Sequence, residues 1–312
     1  MPRPSVRGHA VTVGRSWRAR RRGHERVLEW LLLLAALVSV AVTVAIVYVL
    51  VAESIAFFDT VPISDFVADS QWTPLFEDAH YGIGVLLSAT VTCTVVALSL
   101  ALPVGGVIAI YLSEFASPVT RDLAKPVLEL LGAVPTIVYG YFALMFVTPL
   151  LQHLIPGLPG FNLLSAGLVM GIMIIPYVSS LSEDAMRAVP MALREASYAM
   201  GASRLQAALG VVVPSAAAGI ASACVLAVSR AVGETMIVAI AAGSQARLGF
   251  DPTASAATLT SYIVQVALGD VDHGGVAYRT VFVAGLALML MTLAMNIAGH
   301  LLRQRFLRAS IR

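Results

Sequence analysis

The chain has 312 residues, of which 58% are hydrophobic and only 12% are charged, and its mean hydropathy is +0.85. Soluble domains carry about 25% charged residues, so a globule of this composition could not cover its surface and a soluble enzyme is excluded. The formal net charge of +2 indicates little, because the positions of the charges matter more than their sum. The composition predicts an all-α, polytopic membrane protein.

The chain begins with a basic tail, residues 1–27, which contains eight arginines and for which we predict no regular structure. Residues 30–52 follow it and carry no charge. A helix needs about 20 apolar residues to cross the hydrocarbon core, whereas the apolar core of a signal peptide has only about 7–15. We therefore expect a first span that is retained in the protein.

Five more apolar segments bring the predicted number of spans to six. A turn rich in proline and glycine, residues 156–160, divides a long stretch without acidic or basic residues into two of them. These spans are expected near 82–112, 126–151, 162–182, 215–242 and 280–302. Together with the first span they form a permease domain, residues 28–304, which a second basic tail, residues 305–312, follows.

The arginines predict the orientation of the spans. If the N-terminus is cytoplasmic, 17 of the 20 basic residues lie in inside segments, whereas the first outside segment, residues 53–78, has six acids and no basic residue. Both termini are therefore expected in the cytoplasm, and the protein in the cytoplasmic (inner) membrane. The outside residues 53–80 form an interfacial lid or contact a partner. Residues 253–268 are too short to span, and we expect them to lie at the interface or to dip into the membrane.

The inside segment 183–214, called here the coupling segment, carries a spaced motif. Glu195-Ala196-Ser197 is followed by three residues and Gly201, and nine more residues lead to Val211-x-Val213-Pro214. This resembles the coupling motif of ABC importer permeases, which reads Glu-Ala-Ala, three residues, Gly, nine residues and Ile-x-Leu-Pro. Serine and valines replace the family's alanine, isoleucine and leucine.

The resemblance implies a short helix that docks in a cleft of a separate ATPase. Small residues would allow close approach, a glycine would turn the chain, and Glu195 near the start of the helix would be favoured by the helix dipole. The residues expected to couple to the ATPase are Glu195, Ala196, Ser197, Gly201 and Pro214.

Four other stretches are similar to the phosphate-uptake permeases: residues 111–118, 134–140, 180–190 and 229–236. The long first outer segment resembles the PstC-type subunit more than its PstA-type sister. The resemblance covers residues 28 to 302 and implies the type I, MetI-like permease fold. It also implies a PstA-type sister permease, two copies of a PstB-type ATPase and a PstS-type phosphate-binding protein outside the membrane.

The fifth predicted span contains two charged residues, Arg230 and Glu234, which are costly in a bilayer. Their four-residue spacing predicts that both lie on one face of a helix. Two interpretations stay open. The two residues form a structural ion pair between helices, or they line a translocation path for an anion. In such a path Arg230 would attract the anion, and Glu234 would offset the charge of Arg230 so that the anion leaves again. Thr235 adds a hydroxyl to the predicted path.

The function predicted from these features is ATP-driven import of inorganic phosphate. Lys125, the only lysine, does not follow a glycine, so the chain has no Walker A loop and ATP hydrolysis is assigned to a partner. A permease for sulfate, molybdate or phosphonate stays open as an alternative, and a self-contained channel or secondary transporter is a further one. We expect no enzyme activity, cofactor, metal site or nucleic-acid partner, because no catalytic or metal-ligand spacing is present.

Overall fold

The computed structural model describes residues 14–272 and 274–310, and side chains at 28–301 without 273, together with those of 303 and 304. Residues 1–13 and 311–312 of the two expected tails lie outside this part of the chain. The described residues form helices, with the longest connections at 69–83 and 242–258, and the polypeptide divides into two units between Leu50 and Val51.

Fourteen α-helices follow one another in the described part of the chain, and three π-helical turns extend or join some of them. The helices are α1 Gly14–Phe58, α2 Ile63–Ala68, α3 Gly84–Ile110, α4 Pro118–Ala133, α5 Thr136–Phe142, α6 Thr148–Leu154, α7 Leu163–Arg187, α8 Met191–Ala199, α9 Arg204–Ala207, α10 Val213–Ser215, α11 Ala217–Val232, α12 Met236–Ala241, α13 Leu259–Leu268 and α14 Val276–Ser310. The π-helical turns are Tyr111–Phe115, Ala143–Val147 and Ala208–Val212.

Five helical runs of the described chain are long and apolar enough to cross a membrane: Leu28–Phe58, Gly84–Phe115, Thr136–Leu154, Leu163–Arg187 and Val276–Leu301. A sixth is present if Arg204–Ser215 and Ala217–Val232, which are bent by 72° at a short break, count as one span. The described chain thus has five such segments, or six with the bent pair, against the six spans predicted from the sequence.

The first helix begins earlier than the first predicted span, at Gly14, so residues 14–27 are helical and the expectation of an unstructured tail there is wrong. Arginine is a good helix former, and a helix that has already nucleated extends at little cost. Every side chain from Leu28 to Val49 is exposed, as a helix surrounded by lipid requires.

The third predicted span, 126–151, begins too early. Helix α4 ends at Ala133, and Val134 and Pro135 take extended backbone conformations before α5 starts. The residue before a proline is disfavoured in helical conformation, which explains the break. The spanning run is Thr136–Leu154, and α4 is a separate amphipathic helix without a buried residue.

Helices α3 and α7 pack against each other at the centre of the second unit. A Cβ atom at Gly167 would lie 2.7 Å from Val96 Cγ1, and one at Gly171 would lie 2.7 Å from the Ala97 carbonyl oxygen. Only glycine fits at either position, since small residues let helix backbones approach closely in membranes. This contact fixes α7, which carries residues of both candidate sites described below.

A second apolar cluster packs residues between Phe57 and Leu86 against α13 and α14. Its aromatic rings form a chain of edge contacts in which Phe66 lies 6.4 Å from Trp72, and Trp72 lies 5.2 Å from Tyr262 of α13. Residues 53–80 thus fold over α13. With ten residues, α13 is about 15 Å long, too short to cross a bilayer.

Candidate functional site

The coupling segment contains the short helix α8, and Glu195 is exposed on it. Glu195 is the fifth of nine residues rather than a member of the first turn. The expected stabilisation of its carboxylate by the helix dipole is therefore wrong, because that effect is confined to the terminal turn. Ala196 is exposed and Ser197 is half-buried, so two small side chains follow Glu195, whereas Met191 and Tyr198, one turn away on either side, are large and exposed.

Gly201 ends α8 in a Schellman motif. Its φ is +87°, the Gly201 N–H donates to the Tyr198 carbonyl (2.9 Å), and the Ala202 N–H donates to the Ser197 carbonyl (3.2 Å). A Cβ atom at Gly201 would meet no heavy atom within 4 Å. The backbone conformation, and not a shortage of space, is what calls for glycine here.

The chain restarts at Ser203, which caps α9 reciprocally with Gln206. The Gln206 N–H donates to Ser203 Oγ (3.4 Å), and the Ser203 N–H donates to Gln206 Oε1 (2.8 Å). Pro214 lies in α10 after the π-helical turn and has no N–H to donate to the Gly210 carbonyl. The chain then bends by 72° into α11.

An ion pair that the sequence analysis missed fixes α8. Arg194 Nη2 donates to Glu114 Oε1 (3.0 Å), and Arg194 Nε donates to Glu114 Oε2 (3.3 Å). The remaining Arg194 donors bond the Val189 carbonyl (2.6 Å) and the Met186 carbonyl (2.8 Å). Arg194 is only 8% exposed, so its side chain is largely buried and holds α8 in place.

A cleft of about 720 Å³ opens between α8 and the connection from α3 to α4. Its lining includes Arg187, Arg204 and Tyr198 on one side and Ser113 and Ser117 on the other. The exposed face of α8 and this cleft form one continuous, partly basic surface. Such a surface suits contact with another protein chain.

A second set of charges ties α4 to the end of α7. Lys125 Nζ pairs with Glu183 and with Asp184 Oδ1 (2.9 Å), and Arg187 Nη1 lies 3.5 Å from Glu183 Oε1. Burial lowers the pKa of Lys125, but its hydrogen bonds to Glu183 and Asp184 outweigh that effect, so the pKa lies above its usual value. Lys125 is therefore charged and positions α4.

The second candidate site centres on Arg230, in the last turn of α11. Its Cζ lies 4.5 Å from the centre of the Tyr177 ring, and its Nη2 lies 4.0 Å from Met173 Sδ. Its Nε is buried and has no hydrogen-bond partner within the described chain. Among the described residues, no carboxylate oxygen lies within 4.0 Å of this guanidinium.

Glu234 does not share a helix face with Arg230, and that expectation is wrong. Helix α11 ends at Val232, and Glu234 lies in the break before α12. Glu234 is 7% exposed, and its Oε1 accepts from the N–H groups of Met236 (3.2 Å) and Ile237 (3.4 Å). The carboxylate therefore caps α12, as acceptors at helix N-termini do.

Two hydroxyl groups donate hydrogen bonds to backbone carbonyls at the break between α11 and α12. Thr260 of α13 donates to the Glu234 carbonyl (2.7 Å) and is buried. Thr235 donates to the Gly233 carbonyl (3.2 Å), so its hydroxyl satisfies the backbone locally. The fifth predicted span, 215–242, is thus two helices with an ordered break, and both candidate path charges lie close to that break in sequence.

Comparisons with known proteins agree on one kind of molecule. Residues 101–308 match the family described as binding-protein-dependent transport system inner membrane component. The probable ABC transporter permease protein YqgH of Bacillus subtilis is 33% identical over 82% of this chain and 84% of its own length. The phosphate transport system permease protein PstC of Mesorhizobium japonicum is 32% identical over 76% of this chain and 77% of its own.

A solved bacterial ABC transporter that takes part in the import of the acidic polysaccharide alginate has a chain that superposes with a TM-score of 0.61. That likeness covers 91% of this chain and 99% of the other, at 16% identity. The inward-facing MetNI methionine transporter gives a TM-score of 0.52 at 19% identity, over 72% of this chain and 94% of the other. At these identities the likenesses establish the fold, which is that of MetI-like ABC importer permeases.

Proposed function

The chain belongs to the family of binding-protein-dependent transport system inner membrane components, and from that premise we propose that it is the PstC-type permease of a phosphate importer. It is a multi-pass membrane protein and a permease subunit of an ABC importer, in which a separate ATPase hydrolyses ATP. Phosphate as the substrate is supported by the PstC relative and by the chemistry at Arg230.

The observation that carries the proposal is the state of the Arg230 guanidinium. A cation in a membrane-spanning helix is costly and marks a functional position. Within the described chain, the polar and ring partners of the Arg230 guanidinium are a thioether and an aromatic ring, and its buried Nε–H has no acceptor. Such a cation attracts an anion, and its planar fork of N–H groups matches the oxygens of a tetrahedral oxyanion.

Glu234 and Thr235 have different parts in this proposal. Because Glu234 caps α12, its charge stays near the path without neutralising Arg230 directly. It opposes permanent retention of the anion, as conduction requires binding weak enough to permit release. Thr235 borders the same break and supplies polarity there.

The ATPase docks, in this proposal, on the exposed face of α8 and on the turn that follows it. Glu195, Ala196, Ser197 and Gly201 form that surface, and Pro214 ends the segment where it bends into the membrane. The arginine distribution supports the matching orientation, with both termini in the cytoplasm.

The partners are proposed by chemical role. A PstA-type sister permease completes the translocation path, two copies of a PstB-type ATPase bind on the cytoplasmic side, and a PstS-type protein delivers phosphate on the outer side. A family of binding-protein-dependent components implies an ATPase and a binding protein in general terms, and the PstC relatives support these particular ones.

Reconstitution in proteoliposomes tests the proposal. The chain is assembled with its sister permease and ATPase, and phosphate-, sulfate- and molybdate-binding proteins are supplied with their anions in separate arms. We expect ATP-dependent import only with phosphate and its binding protein. Faster import in the sulfate or molybdate arm would assign another oxyanion, and uptake by the chain alone would establish a self-contained channel or secondary transporter.

A further inference from the structure

The guanidinium carbon Cζ of Arg230 lies over the face of the Tyr177 ring, 4.5 Å from the ring centre. We propose that Tyr177 is a positioning residue of the anion path. The face of its ring holds the Arg230 cation, so that the N–H groups of Arg230 are presented to the anion. The proposal rests on the function assigned to Arg230 above.

The geometry of a guanidinium explains why a ring suits this task. All five N–H donors point outward in the plane of the group, whereas the faces carry no donor. An aromatic ring attracts the cation through its face and consumes none of the donors. A carboxylate in the same place would accept two of them and would compete with the transported anion. The unpartnered Nε of Arg230 is what this arrangement leaves available.

The carboxylate that could have taken this place is engaged elsewhere. Glu234 is buried and accepts from the first N–H groups of α12. Its backbone carbonyl is bound by Thr260 of α13. Glu234 is therefore fixed within the helix break by α12 and α13, and Tyr177 holds the guanidinium instead.

The ring of Tyr177 is itself held by a second element. Its hydroxyl donates to the carbonyl oxygen of Gly132 in α4 (3.4 Å), and a Cβ atom at Gly132 would lie 3.7 Å from the ring. A neighbouring tyrosine, Tyr139, donates in the same way to the Leu131 carbonyl (2.6 Å) but has no described contact with Arg230. Tyr139 is thus a matched control for the hydroxyl contact alone.

The test uses the complete transporter in proteoliposomes and measures phosphate imported per ATP hydrolysed, with saturating phosphate-binding protein. Tyr177→Leu removes the ring, and we expect it to lower this ratio about tenfold, as loss of a desolvated cation–π contact permits. Tyr177→Phe keeps the ring and loses only the hydroxyl, so we expect a ratio near that of the unaltered transporter. Tyr139→Phe should likewise leave the ratio unchanged.

The ratio separates positioning from folding, because a misfolded complex loses ATP hydrolysis and import together. Normal coupling in Tyr177→Leu with loss of coupling in Arg230→Gln overturns the role of Tyr177 and leaves the role of Arg230 intact. Normal coupling in Arg230→Gln overturns the anion path itself. An equal loss in Tyr177→Phe and Tyr177→Leu also contradicts the proposal, because it assigns the effect to the hydroxyl and not to the ring.

Discussion

Arg194 of α8 and Glu114 of the turn after α3 form a two-point ion pair, although 80 positions separate them in sequence. Both side chains are nearly excluded from solvent, with 10% and 4% exposure. The coupling helix is thus attached to the end of a membrane-spanning helix by a buried, charge-assisted contact. If an ATPase docks on α8 as proposed, this contact passes its force directly to the end of the run that begins with α3.

We expect Arg194→Ala to destabilise the fold strongly, because it leaves Glu114 buried without its counter-ion. Breaking one half of a buried pair costs about 3–5 kcal/mol. Membrane abundance and the midpoint of thermal aggregation in detergent should both fall. The double variant Arg194→Met, Glu114→Gln should recover part of the loss; no recovery would mean that the bonds to Val189 and Met186 dominate.

Gly201→Val should weaken ATPase docking while the protein still inserts. A residue with a Cβ at φ +87° costs roughly 1–2 kcal/mol or more, since the left-handed region is unfavourable for it. The turn after α8 would then shift. Copurification of the ATPase and ATP-driven uptake measure the effect.

Gly210→Val is the matched control, because Gly210 has no positive φ and a Cβ there would meet no heavy atom within 4 Å. We expect it to keep both the ATPase and uptake. Full copurification and uptake in Gly201→Val would remove that turn from the docking surface.

The double variant Arg230→Gln, Glu234→Gln should remain defective in phosphate import. If the two residues were only a structural ion pair, removing both charges would restore abundance and transport together. They are not paired within 4.0 Å, and Glu234 caps α12 instead. Import and membrane abundance are measured side by side, and near-normal import by the double variant would contradict the anion-path assignment.

Residues 53–80 should lose order as the pH rises. The hydrogen bond between His80 Nδ1 and Asp69 (2.7 Å), with Asp78 3.6 Å from Nε2, raises the pKa of His80 above 6.5. The hydrogen bond from the Gln71 N–H holds the pKa of Asp69 below 3.8, and the hydrogen bond with His80 lowers it as well. The His80 contribution is complete below the unfolded value of 6.5 and is lost as the pH passes the raised value.

Hydrogen exchange of residues 69–83, corrected for intrinsic rates, measures this change between about pH 6 and about pH 9. Protection should fall across that interval in the unaltered protein. His80→Gln should show lower protection at the acidic end and little change with pH. An equal fall in both proteins would assign the pH dependence to another group.

Hydropathy located the apolar segments because burial in lipid depends on composition alone, as residues 30–52 and 280–302 illustrate. It failed at 126–151, where Pro135 separates an amphipathic helix from a spanning one. Residues 126–133 are mostly apolar, so composition did not distinguish them from a span, whereas the extended backbone at Val134 and Pro135 makes α4 a separate element.

The candidate sites were predictable to the extent that they are local. The turn at Gly201 follows from a short motif, and its φ is fixed by its own neighbours. Residue spacing does not encode contacts between helices that are distant in sequence. Two such contacts are the ion pair of Arg194 with Glu114 and the cation–π contact of Arg230 with Tyr177. The four-residue spacing of Arg230 and Glu234 misled because Gly233 ends the helix between them.

Helix α4 is fastened to α7 at two places, through Lys125 near its middle and through Gly132 near its end. Seven residues separate these points, which is about 10 Å along a helix axis. One fastening would act as a pivot, whereas two at this separation remove rotation as well as sliding. Helices α4 and α7 are therefore held as a single rigid pair, and the Tyr139 hydroxyl, which donates to the Leu131 carbonyl across the extended Val134–Pro135 connection, attaches α5 to that pair.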